Sequence, residues 1–357
     1  MNRWKTFVTL CGHLREGLLG GAPYAARDNV PWEKLIEASS HHYVTPALAW
    51  CLRDRTDLPD EIRDYFAAAL TLNGRRNKGL IGAVGRIAAA LNTIGIEPVL
   101  LKGAARLVEE AYPSSKLRFL GDIDVLIPAD RSADAVSALQ RRGFEMGDDA
   151  SPSSLHHHLP MLNERETGAG VELHTGLALP PDDEIIRADW FLENTRPFQL
   201  QGHHVRLPDA TRAIAHNIVH DQLNNQSHNR RLGRASLRQL LDLAMLRAKY
   251  EDAIDWNELD DRFCGAGSGI VLATYLEFGS ELLGQPAPKL THAPRKRALA
   301  AFRRNINWPV LLELQIPVGN VLTQKGGPGG LLGKLARPQT WSTGIRLIKA
   351  SIDNPKW

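Results

Sequence analysis

The 357-residue sequence lacks the features that mark secreted, membrane-spanning and repetitive proteins. Its three cysteines, Cys11, Cys51 and Cys264, form no metal-spaced pair, which predicts reduced thiols in a cytoplasmic protein. No apolar run approaches the roughly 20 residues of a membrane span. The sequence also contains no internal repeat and no long low-complexity tract. These absences argue against a disulfide scaffold, a transmembrane protein and a solenoid.

The chain also has almost no net charge. The chain has 43 Lys and Arg against 40 Asp and Glu, a formal net charge of +3. From Lys325 onward six Lys and Arg stand against one acid, Asp353, and we interpret this segment as a solvated basic terminus. Because the sequence has no dense basic surface, nucleic acid is not indicated as a partner. The hydrophobic fraction of 43% is typical of an ordinary globular protein.

Hydrophobic periodicity divides the chain into four predicted regions. Helical spacing fills residues 1–75 and again residues 209–322, whereas strand-like and helical segments alternate over residues 76–208. A Gly/Pro linker and the basic segment follow at residues 323–357. This order predicts an α+β (α/β) protein, in which a small mixed sheet is flanked by N-terminal and C-terminal helical regions.

Two aspartates interrupt an apolar strand in "RFLGDIDVLI", residues 118–127. Strand alternation places Asp122 and Asp124 on one face and Ile123, Val125 and Ile127 on the other. Residues two apart on a strand are separated by about 6.5 Å, so two carboxylates there repel by about 2–3 kcal/mol at an effective dielectric near 20. A bound divalent cation would offset this repulsion.

Two later segments, "LHHHLPML" and "VELHTGL", are predicted to form a hairpin. The run His156, His157 and His158 cannot ligate one ion as a set, because adjacent strand residues point to opposite faces. Near the end, "GGPGGLLGK" resembles a phosphate loop but has Pro328 where the motif needs glycine and Leu335 where it needs Ser or Thr. We interpret it as a linker.

The pattern "VLLKGAARL…RFLGDIDVLI…LQRRGF…VELHTGL" resembles the uncharacterised bacterial nucleotidyltransferases of the DNA polymerase β-like superfamily. The shared features are a Lys-Gly turn, an arginine four residues before Asp-Ile-Asp, and an acid-x-His strand. The resemblance is strongest over residues 70–250. It implies a polymerase β-like core that transfers a nucleoside monophosphate from an NTP to a hydroxyl of a small-molecule, peptide or protein acceptor and releases pyrophosphate.

The resemblance also implies roles for individual residues. The acids implied to carry catalysis and to bind one or two Mg²⁺ ions are Asp122, Asp124 and Glu172. The residues implied to bind the nucleotide are Lys102, Gly103 and Arg118. The Gly-Ser pair usual in the turn of the wider superfamily is a Lys-Gly pair here, so the turn offers no serine hydroxyl to a phosphate.

Histidines supply the main alternative. His174 shares a face with the third acid, and together with His216 and His220 it is predicted to line the acceptor pocket. His216 and His220 lie one helical turn apart, followed by Asp221 and later Asp242, which is also the residue set of a metal-dependent phosphohydrolase. A non-catalytic nucleotide-binding relative is the third hypothesis.

Overall fold

The computed structural model describes residues 3–21, 31–147, 159–224 and 233–307, which contain twelve α-helices. These are α1 (Arg3–Leu19), α2 (Trp32–His41), α3 (Thr45–Leu52), α4 (Asp60–Asn92), α5 (Lys102–Val108), α6 (Ser132–Gln140), α7 (Ala188–Glu193), α8 (Ala210–Val219), α9 (Leu237–Tyr250), α10 (Trp256–Gly265), α11 (Gly269–Leu283) and α12 (Ala298–Asn307). Helix α8 continues into one π-helical turn, His220–Asn224. In the described part of the chain, no helix has both the length and the apolar character needed to cross a lipid bilayer.

Seven strands form one mixed sheet. They are β1 (Val99–Leu100), β2 (Asp122–Leu126), β3 (Phe144–Met146), β4 (Leu162–Glu164), β5 (Gly170–His174), β6 (Thr195–Leu200) and β7 (His203–Pro208). The spatial order is β3-β4-β5-β2-β1-β7-β6. The pairs β2–β5 and β1–β7 are parallel, and the other neighbours are antiparallel. This sheet, with its surrounding helices, confirms the predicted α+β architecture.

The parallel pairing of β2 with β5 fixes the positions of the acids. Asp124 lies opposite Glu172 in the ladder, whereas Asp122 lies opposite Gly170. On the other face of β2, Ile123 and Val125 are fully buried in a hydrophobic cluster with the C-terminal half of α4 and with α6. The apolar face therefore anchors β2, and the acidic face is turned to the opposite side.

A second hydrophobic cluster joins both ends of the described chain. Helix α1 packs against α11 and α12, and the backbone N–H of Trp4 donates to Asn307 Oδ1 at 2.8 Å. The N-terminal and C-terminal helices therefore share one core, which also includes Leu126 of β2. Helix α4 runs without a break across residue 75, one of the boundaries that the sequence suggests, because its apolar positions continue with helical spacing on both sides.

The strands differ from the sequence prediction in two places. The first strand of the predicted hairpin, expected over residues 155–162, begins at Leu162 as β4, and the three histidines at 156–158 lie outside the described residues. The sequence analysis also missed the β6–β7 hairpin at the edge of the sheet. Pro197 lies within β6, and edge strands are where a sheet tolerates a proline.

Gly103 packs so closely that it accepts no side chain. A Cβ there would lie 2.3 Å from Leu120 Cδ1 and 2.8 Å from Arg118 Nη1, and both of these side chains are buried. We expect Gly103→Ala to lower the free energy of unfolding by about 1–3 kcal/mol, since an overpacked core must shift. Urea denaturation measures this change.

Gly121 is the matched control, because a Cβ there would meet nothing within 4 Å. Gly121→Ala should change the free energy of unfolding by less than about 1 kcal/mol. Equal effects of the two substitutions would contradict the packing described for Gly103.

Candidate active site

The turn between β1 and α5 brings a lysine against the acidic strand. Lys102 is the first residue of α5 and has a φ of 44°, in the left-handed region that a lysine rarely adopts. The turn is tied to β2 because the backbone N–H of Leu101 donates to the carbonyl oxygen of Asp124 at 3.0 Å. As a result, the Lys102 ammonium lies within hydrogen-bonding distance of the second aspartate.

Asp124 is the central acid of the site and is only 2% exposed. Its Oδ1 accepts a hydrogen bond from Lys102 Nζ at 2.6 Å and lies 2.8 Å from His174 Nε2. Burial opposes ionisation, but Lys102 and His174 outweigh burial and hold the pKa of Asp124 well below its usual range. For His174, burial lowers the pKa because it disfavours the charged ring. The hydrogen bonds of the ring to Asp124 and Glu172 outweigh burial and raise the pKa of His174 above its usual value. Asp124 is therefore ionised and favours a protonated His174.

Asp122 and Glu172 flank this centre, and both are half-buried. Glu172 Oε2 lies 3.6 Å from His174 Nε2. The pKa of Asp122 is raised, first by burial and then by the negative charges of Asp124 and Glu172. The predicted acids therefore face one another closely enough to repel.

Most of the site residues predicted from the sequence line one cavity. Its lining residues are Lys102, Gly103, Arg118, Leu120, Asp122, Asp124, Glu172, His220, Arg238 and Gln239. The three predicted acids and the three predicted nucleotide contacts thus share one concave surface. Two further lining residues, Arg238 and Gln239 of α9, belong to no local motif and could not have been identified from the sequence.

The donor atoms of the site fit a divalent cation. One oxygen each of Asp124 and Glu172 and one ring nitrogen of His174 lie within 4.8 Å of one another. Asp122 is not in this group, because it lies opposite Gly170 rather than beside Glu172. A cation would nevertheless relieve the repulsion that, after burial, raises the pKa of Asp122. Two carboxylates with an imidazole suit Mn²⁺ or Zn²⁺ as well as Mg²⁺.

Arg118 lines the cavity but is bonded to a buried acid. Its Nη2 donates to Asp242 Oδ2 at 2.7 Å and its Nε donates to Asp242 Oδ1 at 3.2 Å. Tyr112 adds a hydrogen bond to Oδ1 of the same carboxylate at 2.6 Å. Burial opposes ionisation of Asp242, but Arg118 holds its pKa below the usual value. The pair therefore joins α9 to the segment just before β2.

Helix α8 brings two histidines toward the cavity. His220 lines the cavity at the start of the π-helical turn, and His216 is buried one turn earlier. The two ring centroids are 6.3 Å apart. Burial, followed by the charge of Lys102, lowers the pKa of both histidines well below the usual value, so both rings are neutral at pH 7.

The phosphohydrolase alternative requires Asp221 and Asp242 to approach these histidines. Asp221 instead accepts the backbone N–H of Ser236 at 3.0 Å and a hydrogen bond from Gln222 at 3.0 Å, and burial raises its pKa to about 6. Asp242 is engaged by Arg118. Within the described ranges, these histidines and aspartates form no metal-ligand group. The geometry therefore does not favour this alternative.

The fold and the site together define a protein whose acidic cavity, at the middle of a mixed sheet, suits a metal ion and phosphate groups. Residues 28–283 match the family described as uncharacterised nucleotidyltransferases, and the chain belongs to this family. No curated protein matches the chain. A crystal structure of an antigenic nucleotidyltransferase-like protein from Paracoccidioides brasiliensis is similar, with a TM-score of 0.35 and 19% identity over 57% of this chain and 91% of that chain.

The Arg118–Asp242 pair gives a stability prediction. We expect Asp242→Asn to lower the free energy of unfolding by about 3–5 kcal/mol, because the Arg118 guanidinium would remain buried without its counter-ion. Tyr112→Phe removes one hydrogen bond to the same carboxylate and should cost only about 1 kcal/mol. Urea denaturation measures both values. A loss below 1 kcal/mol for Asp242→Asn would mean that the pair is not buried as described.

Proposed function

We propose that this protein is a Mg²⁺-dependent nucleotidyltransferase that transfers a nucleoside monophosphate from an NTP to a hydroxyl group of an acceptor. The observation that carries the proposal is the convergence of Asp122, Asp124 and Glu172 on one cavity beside Lys102. Membership in the nucleotidyltransferase family supports the same reaction class. Phosphoryl transfer depends mainly on positioning and on stabilising charge, and this group of side chains suits both tasks.

The metal ligands follow from the donor set. Asp124, Glu172 and the neutral form of His174 would hold one ion, whose binding would release the proton that the two acids favour on this ring, and Asp122 would complete its ligands or contribute to a second site. When bound, the ion would neutralise part of the phosphate charge and would lower the pKa of the attacking hydroxyl. Lys102 and His174 keep Asp124 ionised, so this carboxylate is ready to act as a ligand without first losing a proton.

The residues of the chain account for the proton and the phosphates. Glu172 accepts the proton of the acceptor hydroxyl. The hydroxyl oxygen then bonds to the α-phosphorus, and the bond from that phosphorus to pyrophosphate breaks. Lys102 contacts the phosphate chain from the turn at Gly103, where the absence of a side chain lets Leu120 and Arg118 pack against the backbone. Arg118 adds positive charge to the same wall.

The acceptor would bind on the helical side of the cavity. His220 lines the cavity, and His216 lies behind it. With His174 they would border a small-molecule, peptide or protein acceptor. In the domain division that we propose, residues 76–208 carry the chemistry and residues 209–322 contribute this pocket. The proposed location is the cytoplasm, on the basis of cysteine spacing alone.

The transfer reaction is tested by removing charge from the site. We expect Asp122→Asn and Glu172→Gln each to lower transfer by at least about 100-fold, because each removes charge that stabilises the ion or the reacting phosphate. The fold should persist in Asp122→Asn, since burial and then repulsion from Asp124 and Glu172 already raise the pKa of this acid. The measurement is incorporation of α-phosphate label from each NTP into acceptors of a cell extract, together with pyrophosphate release.

Asp134→Asn, at an exposed position of α6, is the control and should transfer as the wild type does. Undiminished transfer by both site variants would contradict the proposal. Release of inorganic phosphate in place of pyrophosphate would favour a hydrolase. NTP binding without turnover of any acceptor would favour a nucleotide-binding relative.

A further inference from the structure

Three basic side chains line the cavity, and two of them are already paired. Lys102 donates to Asp124, and Arg118 forms its ion pair with Asp242. The third, Arg238, is half-buried in the first turn of α9 and forms no ion pair with any residue that the structure describes. Its Nε is buried and has no hydrogen-bond partner among those residues. A buried guanidinium donor without an acceptor is costly unless a ligand satisfies it.

The electrostatic surroundings of Arg238 also favour an added anion. Its pKa is lowered, first by burial and then by the nearby positive charge of Arg118, while Asp242 and Asp122 act in the opposite sense. Arg118 and Arg238 therefore repel across the cavity wall. An anion bound between Arg238 and the acidic strand would reduce this repulsion and accept the unused hydrogen bonds.

Aromatic rings hold the guanidinium in place. Arg238 lies over the ring of Tyr43, 5.2 Å from its centroid, and Tyr43 stacks on Phe119 with centroids 5.6 Å apart. Arg76 lies 5.2 Å from the Phe119 centroid and donates to the carbonyl oxygen of Leu120 at 3.0 Å. The stack therefore connects Arg238 to the segment that leads into β2. Such cation–π contacts orient a guanidinium without consuming its N–H donors.

Tyr43 occupies an unusual position for an aromatic residue. It follows α2 with a φ of 57°, a left-handed conformation that favours glycine, and its side chain is 54% exposed. A tyrosine here costs backbone energy and gains little from burial. The contacts of the ring with Arg238 and Phe119 offset this backbone cost, and they make Tyr43 a positioning residue.

We propose that Arg238 is a further phosphate-binding residue of the cavity, that it donates hydrogen bonds to the polyphosphate chain of the substrate, and that Tyr43 positions it. The identity of the substrate as an NTP rests on the proposed function, whereas the anion site itself rests on the contacts of Arg238. The guanidinium offers several N–H donors in a planar fork that matches phosphate oxygens. It would add a positive charge that Lys102, already bonded to Asp124, supplies only in part.

The test measures binding of inorganic tripolyphosphate with Mg²⁺ by isothermal titration calorimetry, so it needs neither the nucleoside nor the acceptor. We expect Arg238→Gln to weaken binding by about 10- to 100-fold, the loss typical of a hydrogen-bonded charge. Arg238→Lys should recover part of the affinity, because it restores charge but not the fork. Arg303→Gln, at an exposed position of α12 outside the cavity lining, should bind as the wild type does.

The role of Tyr43 is tested by coupling. Tyr43→Leu should weaken tripolyphosphate binding about 3- to 10-fold in the wild-type background and have no effect beside Arg238→Gln, while Tyr43→Phe keeps the wild-type affinity. A purely structural tyrosine would give equal effects in both backgrounds. That result would overturn the positioning role.

The outcomes separate this inference from the proposed function. Equal binding by Arg238→Gln and the wild type, in a protein that transfers nucleotides, overturns the role of Arg238 alone. Binding that depends on Arg238 in a protein that transfers no nucleotide upholds the anion site and contradicts the transferase. A wild-type protein that binds no tripolyphosphate overturns the anion site, whereas the proposed function is decided separately by the transfer assay.

Discussion

The contact of Asp124 with Lys102 and His174 is the interaction on which the site depends. A carboxylate that is almost fully buried remains charged only if donors compensate for the lost water. One donor comes from the turn after β1 and the other from β5, so both elements must lie beside β2. The sheet order, with β2 between β5 and β1, meets this requirement. The same order brings Glu172 alongside Asp124.

Around this centre, the fold places a neutralised ion pair in the wall of the cavity and mutually repelling charges inside it. Arg118 and Asp242 neutralise each other in the wall and connect α9 to the segment before β2. Asp122 and Glu172 repel within the cavity, and Arg238 finds no counter-ion among the described residues. Groups of both signs are thus held apart on one concave surface. Such an arrangement stores electrostatic energy, which the metal ion and the polyanion of the proposed reaction would release on binding.

The sequence predicted what depends on local pattern and missed what depends on distant pairing. Strand alternation was sufficient to place both aspartates on one face, and the acid-x-His pattern identified the strand that carries Glu172. The partner of Arg118 could not be found this way, because Asp242 is 124 residues away and its pattern indicated only the alternative phosphohydrolase set. The β6–β7 hairpin was not predicted, because Pro197 argues against a strand. In addition, the turn of the hairpin has Gln201 where an asparagine would have indicated a hairpin turn.

The parallel ladder between β2 and β5 has a consequence for how the protein is made. Its strands are separated by more than 40 residues, and α9, which completes the wall, is translated later still. A nascent chain that ends before α9 contains all three acids but neither Arg238 nor the counter-ion of Arg118. Such long-range closure is slow, so the emerging polypeptide acquires its acids well before it acquires a competent pocket.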